Sequence, residues 1–113
     1  MSDLLKCPPE DILIRWVNYH LRAADQHDKQ IANLGKDLKN SEAMYYVLNQ
    51  LDKQKCPLDR MTEEDQVVRA EEMMKNSARI DVPDVVDPND WIQGNSKVNS
   101  IYVAEVFNTR HGL

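Results

Sequence analysis

Glycine is scarce in this chain, with three in 113 residues, at positions 35, 94 and 112. A dinucleotide-binding G-x-G-x-x-G, which needs glycines in close register, is therefore excluded. Gly35-Lys36 does not complete a phosphate loop either, because Gln30 stands where the first glycine belongs and Asp37 follows the lysine. Long apolar runs are missing: Ile101-Tyr-Val-Ala104 is among the longest, far below the roughly 20 residues of a membrane span. Met1-Ser-Asp-Leu-Leu-Lys6 has an apolar stretch of only two residues, which does not resemble a signal peptide. Cysteine is limited to Cys7 and Cys56. With no paired metal spacing and no signal segment, both read as free thiols in a reducing, cytoplasmic compartment.

A surplus of positive charge is also lacking. Lys and Arg number 14 against 19 Asp and Glu, for a formal charge of -5. That balance disfavours a nucleic-acid module, which needs a basic face to displace counterions from phosphate. The excess is not evenly spread. Residues 1–60 hold 9 basic and 9 acidic side chains, whereas residues 61–113 hold 5 and 10. An anionic partner would be met by the first half.

What the chain has is enough apolar material, 42% of residues, for one packed core, and a length close to the commonest domain size. Residues 1–113 read as a single all-α domain: about four main helices plus short connecting ones around a central C-terminal helix. No segment alternates well enough for a strand. Pro8-Pro9-Glu10-Asp11 starts a helix that runs to about Ala24, with proline and carboxylates suited to its first turn. Its apolar arc is Ile12, Leu13, Ile14, Trp16, Val17, His20 and Leu21, and its solvent stripe Asp11, Arg15, Asn18 and Arg22. Ile31, Leu34 and Leu38 have the spacing of a short helical turn. Asn40 or Ser41 caps a helix through Leu51 that buries Met44, Val47, Leu48 and Leu51. Thr62-Glu-Glu-Asp65 reads as a variant capping box, opening a helix with Val67, Ala70, Met74 and Ala78 on its inner face. Asp87-Pro88-Asn-Asp90 starts a short helix that Gly94 stops. Asn95 or Ser96 caps the last one, apolar nearly all round through Phe107, which suits the middle of a bundle.

Chemistry-bearing residues do not converge. His20, His27 and His111 are too scattered for a zinc motif, and His20 belongs to the core arc. Cys56 has no helix start aimed at it, so it reads as a structural thiol rather than a nucleophile. Asp81, Asp84, Asp87 and Asp90 recur every three residues but lack the order of a calcium loop; capping explains Asp87 and Asp90. Trp16 and Trp91 read as core aromatics. No enzyme, metal or cofactor follows from the residues.

Several segments resemble a known family. Ile12-Leu-Ile-Arg15-Trp16-Val-Asn18-Tyr-His20-Leu21 is similar to the first helix of a calponin-homology domain, specifically that of the fimbrin/plastin family. Asp37-Leu-Lys-Asn40-Ser41-Glu-Ala43-Met-Tyr-Tyr-Val-Leu-Asn49-Gln50-Leu51 resembles its third helix, and Arg69-Ala70-Glu71-Glu-Met73-Met74 the start of its long later helix. Gly94-Asn95-Ser-Lys97-Val98-Asn99-Ser-Ile-Tyr-Val103-Ala104-Glu-Val106-Phe107-Asn108-Thr109 resembles the start and body of its central last helix. The resemblance is nearest to the second of the four calponin-homology domains of fimbrins. Two departures stand out: a short connection from Asp52 to Thr62, and Ser96 where the family pattern has proline.

The resemblance implies the calponin-homology fold and an actin-binding module of a filament-bundling protein, the accessory second domain of a tandem pair. Its partners would be filamentous actin and the adjacent calponin-homology domain of the same protein. Either this chain is a fragment of such a protein or a divergent single-domain form. The actin contact would fall on Arg15, Asn18 and Arg22, extended by Lys29 and Gln30. A phosphoinositide contact at Arg22, Lys29, Lys36 and Lys39 is a weaker implication, because Asp25, Asp28 and Asp37 are interleaved with them. The alternative is a scaffold or regulatory domain that does not touch actin.

Overall fold

Leu13, Trp16, Val17, His20 and Leu21 recur at helical spacing, and in the computed structural model, which describes residues 9–110, they are the buried face of helix α1, Glu10–Ala23. Four further helices follow among the described residues: α2, Glu42–Leu51; α3, Gln66–Arg79; α4, Pro88–Trp91; and α5, Ser96–Thr109. A single 3-10 turn, His27–Lys29, interrupts the long α1–α2 connection. The described residues contain no strand. Pro8, Cys7 and His111 lie outside them.

One core joins all five helices. Trp16 of α1 meets the edge of Phe107 of α5 at 5.4 Å between ring centroids, and Trp91 of α4 meets Tyr102 of α5 at 5.1 Å. Both tryptophans are buried, as the sequence predicts. Burying side chains of this size stabilises the fold by roughly 2–3 kcal/mol each. The Trp91 indole N–H donates to Ser41 Oγ at 3.1 Å, fastening α4 to the start of α2 across 50 residues of chain. Tyr45 of α2 donates its hydroxyl to the Arg69 carbonyl of α3 at 2.6 Å.

The scarcity of glycine has a structural counterpart in how the helices end. Asp25 has φ 64° and Asp81 has φ 71°, both left-handed. After α1 the amides of Asp25 and Gln26 bond back to the carbonyls of Arg22 and Leu21; after α3 those of Asp81 and Val82 bond back to Ala78 and Ser77. These are Schellman closures with aspartate at the position where glycine is usual. Gly35 and Gly94 are kept for a close approach. A β-carbon on Gly35 would run into the Gly94 carbonyl and lie 2.8 Å from Ser96 Oγ.

Four expectations need correcting. Ile12, assigned to the core arc, is 46% exposed; at 100° per residue it stands at the margin of that arc, about 40° from Trp16 and about 60° from Arg15. Ile31, Leu34 and Leu38 are buried as expected, but their segment forms turns rather than a helix. Asn33 Oδ1 accepts the amides of Gly35 and Asp37, and Asp37 Oδ2 accepts that of Ala32. The cap of α2 expected from Asn40 or Ser41 is present: Asn40 Oδ1 accepts the Glu42 amide, while Ser41, at the cap position, accepts from Trp91. Helix α3 starts after Asp65, not at Thr62: the Asp65 carboxylate accepts from Val67 and Val68. Its inner face is Ala70, Met73, Asn76 and Ser77, with Ala78 exposed. Finally, α5 is not covered all round, since Ile101 is 51% exposed.

Candidate functional site

The outer face of α1 carries two of the five sequence-predicted contact residues, Arg15 and Arg22, while Lys29 and Gln30 lie on the connection that follows the helix. Arg15 and Arg22 are exposed, and neither forms an ion pair among the described residues. The Asp11–Arg15 pair that their i,i+4 spacing allows is not formed. Ile12 and Tyr19 lie on the same side, seven residues apart, 46% and 47% exposed. At 100° per residue Ile12, Arg15, Tyr19 and Arg22 span an arc of only about 80°. Two large apolar groups thus alternate with two guanidinium groups along one stripe.

Asn18 is the fifth. It is half-buried, and both ends of its amide are used: Nδ2 donates to the Ile31 carbonyl at 2.9 Å, and Oδ1 accepts the Ile31 N–H at 2.7 Å. The expectation that it faces solvent beside Arg15 is corrected for that reason. Its spacing puts it at the margin of the stripe, where a polar side chain reaches the neighbouring connection rather than water. Its role is to fasten the connection that carries Lys29 and Gln30 against α1.

Lys29 is half-buried and its ammonium pairs with Glu42 of α2 at 3.2 Å. The hydrogen bond and charge of Glu42 raise its pKa above the ordinary value of 10.5. A pair this open to water contributes at most about 1 kcal/mol, so Lys29 can exchange Glu42 for an external carboxylate at small cost. Gln30 is exposed. Lys36 and Lys39 sit elsewhere, against Gly94 before α5. The four cations named for a phosphoinositide contact therefore divide between two locations.

Tyr19 and Ile12 were missed by the sequence reading of the stripe. The signal that finds them is their spacing from Arg15 and Arg22, at three and four residues either side.

Other chemistry-bearing residues have structural duties. His20 is buried edge-on to Trp16. Cys56 is buried and donates its thiol to the Asn76 carbonyl at 3.3 Å; burial pushes its pKa up to about 11, away from the range of a reactive thiolate. Asp87 Oδ1 caps α4 through the Asn89 amide at 2.8 Å, and Asp81 closes α3. Among the described residues no three His, Cys, Asp or Glu side chains come together as a metal site. None of the described helices is long and apolar enough to cross a membrane.

Comparison with known proteins agrees with this architecture. The model of the calponin homology (CH) domain matches residues 7–112. Fimbrin of Saccharomyces cerevisiae is 36% identical over 113 residues, covering all of this chain and 17% of that protein. Plastin-1 of Homo sapiens is 34% identical over 117 residues, covering 96% of this chain and 18% of that protein. The crystal structure of the actin-crosslinking core of Schizosaccharomyces pombe fimbrin superposes with a TM-score of 0.88 at 37% identity, over 97% of this chain and 23% of that one. The chain thus spans less than a fifth of the length of the curated relatives named here.

Proposed function

The chain belongs to the calponin-homology family, and from that premise we propose that it is an actin-binding module of a fimbrin-like filament cross-linker. In this reading it is a binding module and not an enzyme, and works in the cytoplasm on the actin cytoskeleton. It acts as the accessory second domain of a tandem pair, steadying the grip of a neighbouring calponin-homology domain. The contact is made by Arg15 and Arg22 with Lys29 and Gln30, and Asn18 holds the last two in place.

The observation that supports this reading is the Arg15–Arg22 stripe, which forms no ion pair among the described residues, in an otherwise acidic chain. An acidic filament repels the domain as a whole, and a local cationic face is what allows approach in one orientation. The test is co-sedimentation with actin filaments at low salt, with this chain alone and joined to its neighbouring calponin-homology domain. Weak pelleting alone and strong pelleting of the pair are expected. A pair that stays in the supernatant contradicts the reading.

A second reading, a scaffold or regulatory domain that does not touch actin, is favoured by one fact: two of the five contact residues, Asn18 and Lys29, already have partners within the fold. In that case reversing both arginines leaves bundling by the whole protein unchanged.

A further inference from the structure

Helix α3 and the segment after it leave an open groove of about 240 Å³. Its lining includes Met74 and Ala78 of α3, Val82, Pro83 and Val85 of the segment after it, and the buried Tyr102 of α5. Val85 stands at the rim, 40% exposed, one of few large apolar side chains on the surface. The volume is below the ~300 Å³ at which pockets for drug-sized ligands begin. It suits a side chain or two inserted from a protein surface.

The charge around it is negative on balance, with Glu71 and Asp84 against Lys75 among the lining residues. Glu71 and Asp84 line the groove, are exposed, and form no ion pair among the described residues. The cations have partners within the fold. Lys75, also in the lining, forms an exposed pair with Glu72 at 3.0 Å, which leaves Glu71 and Asp84 as the uncompensated charges. One turn on, Arg79 directs Nη1 to the Lys55 carbonyl and to Asn76 Oδ1, at 3.2 and 2.6 Å. Every residue of the groove belongs to the half of the chain that carries the whole charge excess.

We propose that this groove is a second interaction surface, separate from the stripe on α1, and that its occupant is a basic amphipathic protein segment. Such a segment inserts an apolar side chain between Ala78 and Val85 and sets lysine or arginine opposite Glu71 and Asp84. Apolar contact with the groove supplies affinity, and the free carboxylates select for positive charge and orientation.

The test uses three synthetic peptides titrated into the isotopically labelled chain and followed by NMR amide shifts. The first is helical, with leucine at i, i+4 and i+7 and lysine on the other face. The second replaces its leucines with glutamine, and the third its lysines with glutamate. The first is expected to shift the amides of Met74, Ala78 and Val82–Val85, and to bind at least tenfold more tightly than either of the others. E71K/D84K, two exposed changes, should weaken it at least tenfold while the rest of the spectrum keeps its native dispersion. Binding that survives E71K/D84K, or shifts centred on α1, would overturn the proposal. So would equal binding of the glutamine peptide, which means charge alone, or of the glutamate peptide, which means apolar contact alone. Concentration-dependent shifts at the groove without peptide would also overturn it, since the occupant would then be a second copy of the chain.

Discussion

Asn18 grips the backbone of Ile31 at both ends, donating to its carbonyl at 2.9 Å and accepting its N–H at 2.7 Å. A side chain on α1 thereby stands in for the strand partner that a connection of this kind lacks. Ile31 is buried, so its polar groups would otherwise have to find partners elsewhere. The pair fastens to α1 the connection that carries Lys29 and Gln30.

Replacing Asn18 with alanine leaves both groups of Ile31 without that partner. Asn18→Ala is expected to lower stability by about 2 kcal/mol, read from the urea midpoint at unchanged slope. A loss comparable to a surface substitution would show that the connection is held by its other contacts.

Ile12 and Tyr19 contribute little to the fold, being about half exposed, so their loss separates binding from stability. I12A/Y19A is expected to move Tm by no more than a surface change does. Filament affinity should fall at least tenfold, since aromatic anchors dominate interface energetics. Unchanged affinity would confine the contact to the arginines.

Asp81 at φ 71° adopts a conformation that costs an L-residue roughly 1–2 kcal/mol. Asp81→Gly removes that strain and gives back part of it through the freer unfolded chain, for a net gain of about 0.5 kcal/mol. A urea titration measures it. A loss of stability would mean that the Asp81 side chain makes a contact of its own.

Cys56 links stability to pH. Its pKa rises in the fold from an ordinary value of 9.0 to about 11 because burial disfavours the thiolate. Below 9 the thiol is protonated in both states and stability is flat. As pH climbs from 9 towards 11 the unfolded thiol ionises first, unfolding releases a proton, and stability falls. Cys56→Ala should lessen that slope across this window; an identical slope would assign it to other groups.

Where a residue announced its own role, the sequence was legible. Asp87-Pro88 starts α4, Gly94 stops the turn after it, and Asn95 caps α5 through the amides of Lys97 and Val98. Arg15 and Arg22 faced water as expected. Polar residues that turn inward were not legible. Asn76 is buried because its amide donates to the Pro57 carbonyl and its oxygen accepts from Arg79, which rotates the inner face of α3 away from its most apolar stripe. Asn18 left the solvent stripe for the same reason, and Ile12 joined the outer face because a helix has room inward for only part of an apolar arc. Apolar spacing reports transfer free energy, whereas these residues are placed by hydrogen bonds to segments distant in sequence.

The central claim is that the outer face of α1 is what meets the filament, and charge reversal tests it most directly. R15E/R22E is compared with the natural chain in the tandem pair, by filament co-sedimentation across a range of salt. Both arginines are exposed and form no ion pair among the described residues, so the fold should keep its stability within about 0.5 kcal/mol. Affinity at low salt is expected to drop at least tenfold, with a weaker dependence on salt. Equal affinity and equal salt dependence in the two proteins would contradict the account.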